Sequence, residues 1–134
     1  MTIARWAGLA AALVLAVFTA APRADCDWQR LGAREVDHRV DHDQIDVKNS
    51  EGPFKSIQLR VQGAPVQFNK VTVFFDKGPE QVVDMRENVQ DGGKTRQIDL
   101  QGDSKERNIT RVVFNYRTEE SGRKAVVELW GITA

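Results

Sequence analysis

From residue 54 onward, apolar and polar side chains alternate with a period of two. That period puts successive side chains on opposite faces of an extended strand, and a helix cannot accommodate it. Ile57, Leu59 and Val61 alternate with Gln58, Arg60 and Gln62. Val71, Val73 and Phe75 alternate with Lys70, Thr72 and Asp76, with Phe74 breaking the pattern. The same rhythm runs through Val83 and Met85, through Ile98 and Leu100, through Val112, Phe114 and Tyr116, and through Ala125, Val127 and Leu129. The separators carry turn chemistry: Gly63-Ala64-Pro65, Lys77-Gly78-Pro79, Asp91-Gly92-Gly93, Gly102-Asp103-Ser104 and Glu120-Ser121-Gly122. No segment past the first 24 residues gives an apolar stripe of helical period over three turns. One or two further strands are expected on the N-terminal side, near Trp28 to Val36 and Gln44 to Val47. The expected fold is all-β: an antiparallel, jelly-roll-like β-sandwich of about seven to nine strands. Its expected core is Leu31, Ile57, Leu59, Val61, Val71, Val73, Phe75, Val83, Ile98, Leu100, Val112, Phe114, Val127 and Leu129.

The N-terminus obeys a different pattern. Residues 1–24 contain Arg5 and Arg23 but no lysine or acidic residue, and Trp6 to Ala21 is an apolar run. A positive start, an apolar core and small residues read as a secretory signal peptide. The run is shorter than the roughly 20 apolar residues that span a bilayer. A cut after Ala24 leaves a mature domain of residues 25–134, exported to the periplasm or beyond, with no membrane span. The whole chain of 134 residues balances 19 basic against 19 acidic side chains. The mature part keeps 17 basic and 19 acidic residues, a net charge of −2. That balance excludes a strongly basic nucleic-acid binder. One cysteine, Cys26, excludes an internal disulfide and a cysteine-rich zinc site. Arg23-Ala24-Asp25 before it does not supply the small and aliphatic residues of a lipid-anchor signal.

Two groups of residues carry candidate chemistry. His38, Asp41, His42 and Asp43 fall in one short polar stretch, and imidazole and carboxylate are good ligands for divalent metals. On a strand, however, His38 and His42 stand about 13 Å apart, so one ion between them requires a turn or bulge. The alternative is a solvated polar connection. The second group is a set of arginines, Arg60, Arg86, Arg96, Arg111 and Arg117, on or near the polar faces of strands. Aligned, they would hold a carboxylate, sulfate or anionic polymer. Cross-strand ion pairs with Asp84, Glu87 and Asp99 explain the same residues. Nucleophile elbow, phosphate loop, dinucleotide fingerprint and zinc-protease motif are all missing.

The chain also resembles a family of small exported bacterial proteins, domain of unknown function 2541. The resemblance rests on Trp28, Leu31-Gly32 and Val36-Asp37, then Asp41, Asp43 and Ile45, and the Gly52/Phe54 entry to the Ile57–Val61 strand. It continues through Gly93 and Arg96 to Gly102, through Ile109, Val112 and Tyr116, and ends at Ala125, Val127, Leu129-Trp130-Gly131. Glu106-Arg107-Asn108 departs from the plainer basic turn expected before Ile109. The resemblance implies an exported β-sandwich and brings no catalytic residues. The expected function is therefore a non-enzymatic binding or cell-envelope accessory module that needs no cofactor and acts on an unidentified ligand or envelope component. A metal-binding protein using His38, His42, Asp41 and Asp43 is the alternative, and a hydrolytic enzyme the third reading.

Overall fold

The computed structural model describes residues 27–37, 41–48, 53–102, 107–118 and 123–133. The leader, Cys26 and His38 lie outside them. The described residues form eight strands: β1 (Trp28–Val36), β2 (His42–Asp46), β3 (Phe54–Gln62), β4 (Val66–Phe75), β5 (Gln81–Val89), β6 (Ile98–Asp99), β7 (Ile109–Thr118) and β8 (Ala125–Thr133). They make two four-stranded antiparallel sheets, ordered β1-β8-β3-β6 and β2-β7-β4-β5. Consecutive strands change sheet at every connection except the β4–β5 hairpin. The two sheets enclose one apolar core, which makes the domain the β-sandwich that the alternation predicts.

The period-two residues supply the core. Ile57, Leu59 and Val61 from β3 and Val127 and Leu129 from β8 are fully buried against Val71, Val73, Val112 and Phe114 of the facing sheet. Phe114 anchors the middle. It meets Phe68 edge-on at 5.9 Å and Tyr116 at 5.6 Å between ring centroids. Leu31, Phe75 and Val83 are only partly buried, because they sit toward the rim and pack against the core from outside. Val36, Ile45, Phe54, Val66, Phe68, Met85, Val89, Ile109 and Tyr116 add to the core that alternation marks.

One side of the sandwich is closed by its two edge strands, β1 and β2, lying together. Arg34 Nε of β1 reaches Asp43 Oδ1 of β2 at 2.9 Å. Gly32 permits the approach: a Cβ there would sit 2.6 Å from Ile45 Cγ2. On the opposite side, the segment from Lys94 to Leu100 pairs along the open edge of β3. Thr95 Oγ1 accepts the Leu59 N–H at 3.0 Å, and Ser56 Oγ donates to Asp99 Oδ1 at 2.7 Å. This cover explains why Ser56, Gln58 and Thr95 are polar yet buried.

Replacing Phe114 with alanine should cost about 3–5 kcal/mol, the range for a fully buried aromatic that leaves a cavity, read by denaturant unfolding. Acid should also weaken the fold. The Ser56 hydroxyl, then the Gln97 amide, hold the Asp99 carboxyl below its ordinary 3.8. The Asn108 backbone N–H, then its side chain, do the same for Asp76. Both groups bind protons more weakly folded than unfolded, so their stabilisation is complete above the ordinary carboxylate range and is lost as pH falls through the lowered values. Thermal melts between neutral pH and pH ~2 should show this loss, and Asp99→Asn should melt lower at neutral pH but lose less on acidification.

Candidate functional site

The site begins with a mismatch in strand register. On β4 the inward residues are Val66 and Phe68, then Val71 and Val73, so the apolar parity flips between 68 and 71. A strand keeps its apolar residues inward through such a flip only by carrying an extra residue. Against β7, Phe68 pairs with Tyr116 and Lys70 with Asn115, leaving Asn69 unmatched. Against β5, Phe68 pairs with Glu87 and Lys70 with Asp84, so Asn69 faces both Met85 and Arg86. Arg86 absorbs the extra residue with a left-handed backbone, φ 47°. Non-glycine residues rarely adopt it, and it costs roughly 1 kcal/mol or more.

A cleft of about 500 Å³ opens over this irregularity on the outer face of the second sheet. Lys70, Arg86 and Arg117 line it with positive charge, and Asp41 and Asp84 with negative charge. Asn69, Asn115 and Tyr116 complete the wall. Among the described residues, the side chains of Lys70, Arg86 and Arg117 have no hydrogen-bond, ion-pair or ring partner. Other arginines are engaged. Arg30 and Arg34 meet Glu128 and Asp43. Arg107 stacks on Phe75 at 3.9 Å and donates to the carbonyls of Pro79 and Gln101. A second cleft of about 410 Å³ beside Arg107 therefore offers a cation already used by the fold.

At the rim of the first cleft, Asp41 Oδ1 lies 3.0 Å from His42 Nδ1. That hydrogen bond, above all, holds the Asp41 carboxyl below its usual range. Tyr116 is buried with its hydroxyl donating to the Asp37 carbonyl at 3.2 Å, and burial pushes its phenol up.

The five arginines singled out from the sequence do not form one stripe. Arg86 and Arg117 share the cleft. Arg111 lies on the same sheet but is stacked on Phe74 at 4.1 Å. Arg60 is on the other sheet, 4.0 Å over the Trp130 ring and bonded to Gln58. Arg96 lies in the β5–β6 connection, held by Glu87. Strand parity shows that a residue faces outward, but not from which sheet. The metal candidates are also divided. His42 pairs across from Asn115 on the outer face, whereas Asp43 pairs across from Phe114, is half-buried, and bonds Arg34. No group of three or more metal-ligating side chains assembles among the described residues, and His38 lies outside them. The sequence does not single out Lys70, Asn69 and Asn115 as site residues, and Asp84 enters there only as an ion-pair partner for the arginines. The parity flip between Phe68 and Val71 is the signal that points to them.

Fold and site together define a small all-β sandwich with a cation-lined cleft built on a mid-sheet bulge. The chain belongs to the family described as domain of unknown function (DUF2541), whose profile matches residues 9–131. No curated protein matches it in sequence. Among solved structures it is similar to AlgX of Pseudomonas aeruginosa, at 16% identity and a TM-score of 0.48. That likeness covers 75% of this chain and 26% of the AlgX chain, so the protein spans about a quarter of that structure's length.

The left-handed backbone at Arg86 gives a direct test. Arg86→Gly removes the steric cost of positive φ, whereas Arg86→Ala keeps it. The glycine variant should therefore be more stable than the alanine variant by about 0.5–1 kcal/mol, the reverse of their order in an ordinary strand, as read by thermal unfolding.

Proposed function

We propose that this protein is an exported, non-catalytic binding module whose cleft takes a small anion. The observation that carries the reading is the convergence of Lys70, Arg86 and Arg117, three cations without partners, on one cleft. The three are exposed and hydrated when the cleft is empty, and an anion there gains charge-assisted hydrogen bonds from several of them at once. With Asp41 and Asp84 ionised, the five charged groups sum to +1. This balance favours a monoanion over a phosphate or sulfate dianion, which the two carboxylates repel. Asp41 and Asp84 accept hydrogen bonds but cannot donate them, so the preferred ligand also carries hydroxyl donors. A hydroxylated carboxylate meets both demands.

The lining supports binding rather than catalysis. It holds no serine, threonine, cysteine or histidine, and among the described residues its lysine, tyrosine and carboxylates share no side-chain hydrogen bond that would pair a nucleophile with a base. Asp41 is held ionised, the opposite of what a general acid requires. The reading requires no cofactor. Export is supported by the apolar leader with its flanking arginines. Among the described residues, no helix is long and apolar enough to cross a membrane.

Calorimetric titration of the mature protein with glucuronate, inorganic phosphate and glucose tests the reading. Glucuronate should bind more tightly than phosphate, and glucose should not bind. The paired change Arg86→Gln with Arg117→Gln should weaken glucuronate by about tenfold or more, the worth of one or two charge-assisted hydrogen bonds, while Arg111→Gln leaves it unchanged. Silence toward both anions would end the proposal. Mass measurement of protein recovered outside the cytoplasm should show a chain beginning at Asp25.

A further inference from the structure

Arg86 has an unfavourable backbone and, among the described residues, a side chain with no partner, so nothing in its own interactions there explains why it stays where it is. A strained residue persists only when its surroundings over-determine it. On one side, β4 provides that restraint through the pairs Phe68–Glu87 and Lys70–Asp84. On the other side there is no strand, because β5 is the edge of its sheet. Its outward carbonyls would ordinarily meet only water there, and the bulge would be free to slip.

Arg96 occupies that place. Its Nη2 donates to the Asp84 carbonyl at 3.2 Å, and its Nη1 lies at the longer 3.5 Å from the Met85 carbonyl. Its backbone N–H donates to both Glu87 carboxylate oxygens, at 3.0 and 3.2 Å, and its guanidinium lies 3.8 Å from the same carboxylate. One arginine thus grips residues 84, 85 and 87 and brackets Arg86 from both sides. The planar guanidinium suits this task, since it can address two acceptors at once where an ammonium cannot hold the same fork. Arg96 itself does not line the cleft.

We propose that Arg96 is a positioning residue for the cleft: it braces the β5 bulge from the open edge and so fixes Arg86 in the left-handed conformation that lines the cleft. Its consequence for binding rests on the anion-binding reading above; its consequence for the Arg86 backbone does not. The brace turns an edge strand, normally the loosest part of a sheet, into a firm wall. Water replaces the carbonyl contacts when Arg96 is shortened, and Arg86 relaxes toward extended geometry.

The test uses mature protein carrying Arg96→Gln, Arg96→Lys or Glu87→Gln, with Arg111→Gln as a control. Backbone carbon chemical shifts of Arg86 report its conformation, and glucuronate titration reports the cleft. In Arg96→Gln the Arg86 shifts should move from left-handed toward extended values, and glucuronate affinity should fall by about tenfold. Arg96→Lys should move both readouts in the same direction by less. Glu87→Gln, which loosens the anchor of Arg96, should follow it, and Arg111→Gln should move neither. A brace that served only to cover the edge would leave the Arg86 shifts unmoved, and that result overturns the proposal in any variant that remains folded. If wild-type protein ignores glucuronate while Arg96→Gln still shifts Arg86, the brace stands and the anion-binding reading falls. Arg86 shifts that move with no change in a measurable glucuronate affinity would overturn the link from brace to cleft.

Discussion

Val66, Phe68, Val71 and Val73 of β4 all reach the core, and one extra residue in the strand makes this possible. Without Asn69 the parity that buries Val66 and Phe68 would turn Val71 and Val73 toward water. Burial of each such side chain is worth roughly 1.5–3 kcal/mol, well above the cost of one left-handed arginine, so the core wins and the strain is tolerated. The core's demand on register therefore shapes the surface. The inserted residue, the displaced partner on β5 and the cleft above them are three results of the same constraint.

Much of the fold was legible because a period of two is both a local and a global signal. Ile57, Leu59, Val61, Val127 and Leu129 repeat without interruption, and each is inside. β6 was legible for the same reason, although only Ile98 and Asp99 form its ladder. Two of the core residues that alternation does not mark fall where the rhythm changes. Phe68 lies before the flip in β4, and Ile109 lies before a second register shift, where Phe74 pairs with Arg111 and Phe75 with Ile109. Phe74, which broke the alternation in the sequence, stands beside that shift on the outer face under Arg111.

The site was less legible, because charge alternation is a property of single strands and a binding surface is a property of neighbours. Arg60 and Arg117 look alike in sequence, each following a large core residue and falling on a polar face. Folding gives Arg60 a tryptophan ring and a glutamine oxygen and leaves Arg117 without either. Which neighbour a residue receives depends on sheet order, and strands that alternate between sheets hide that order from a linear reading. His42 and Asp43 show the same limit at shorter range: adjacent in sequence, they belong to opposite faces of β2.

The segment from Lys94 to Leu100 closes the β3 edge of one sheet, and Arg60 stacks over Trp130 on that sheet's exterior. The other sheet bears the cleft on its exterior. The sandwich thus has a back and a front. One exterior is tied up by a stacking contact within the chain, and the other stays open at the cleft.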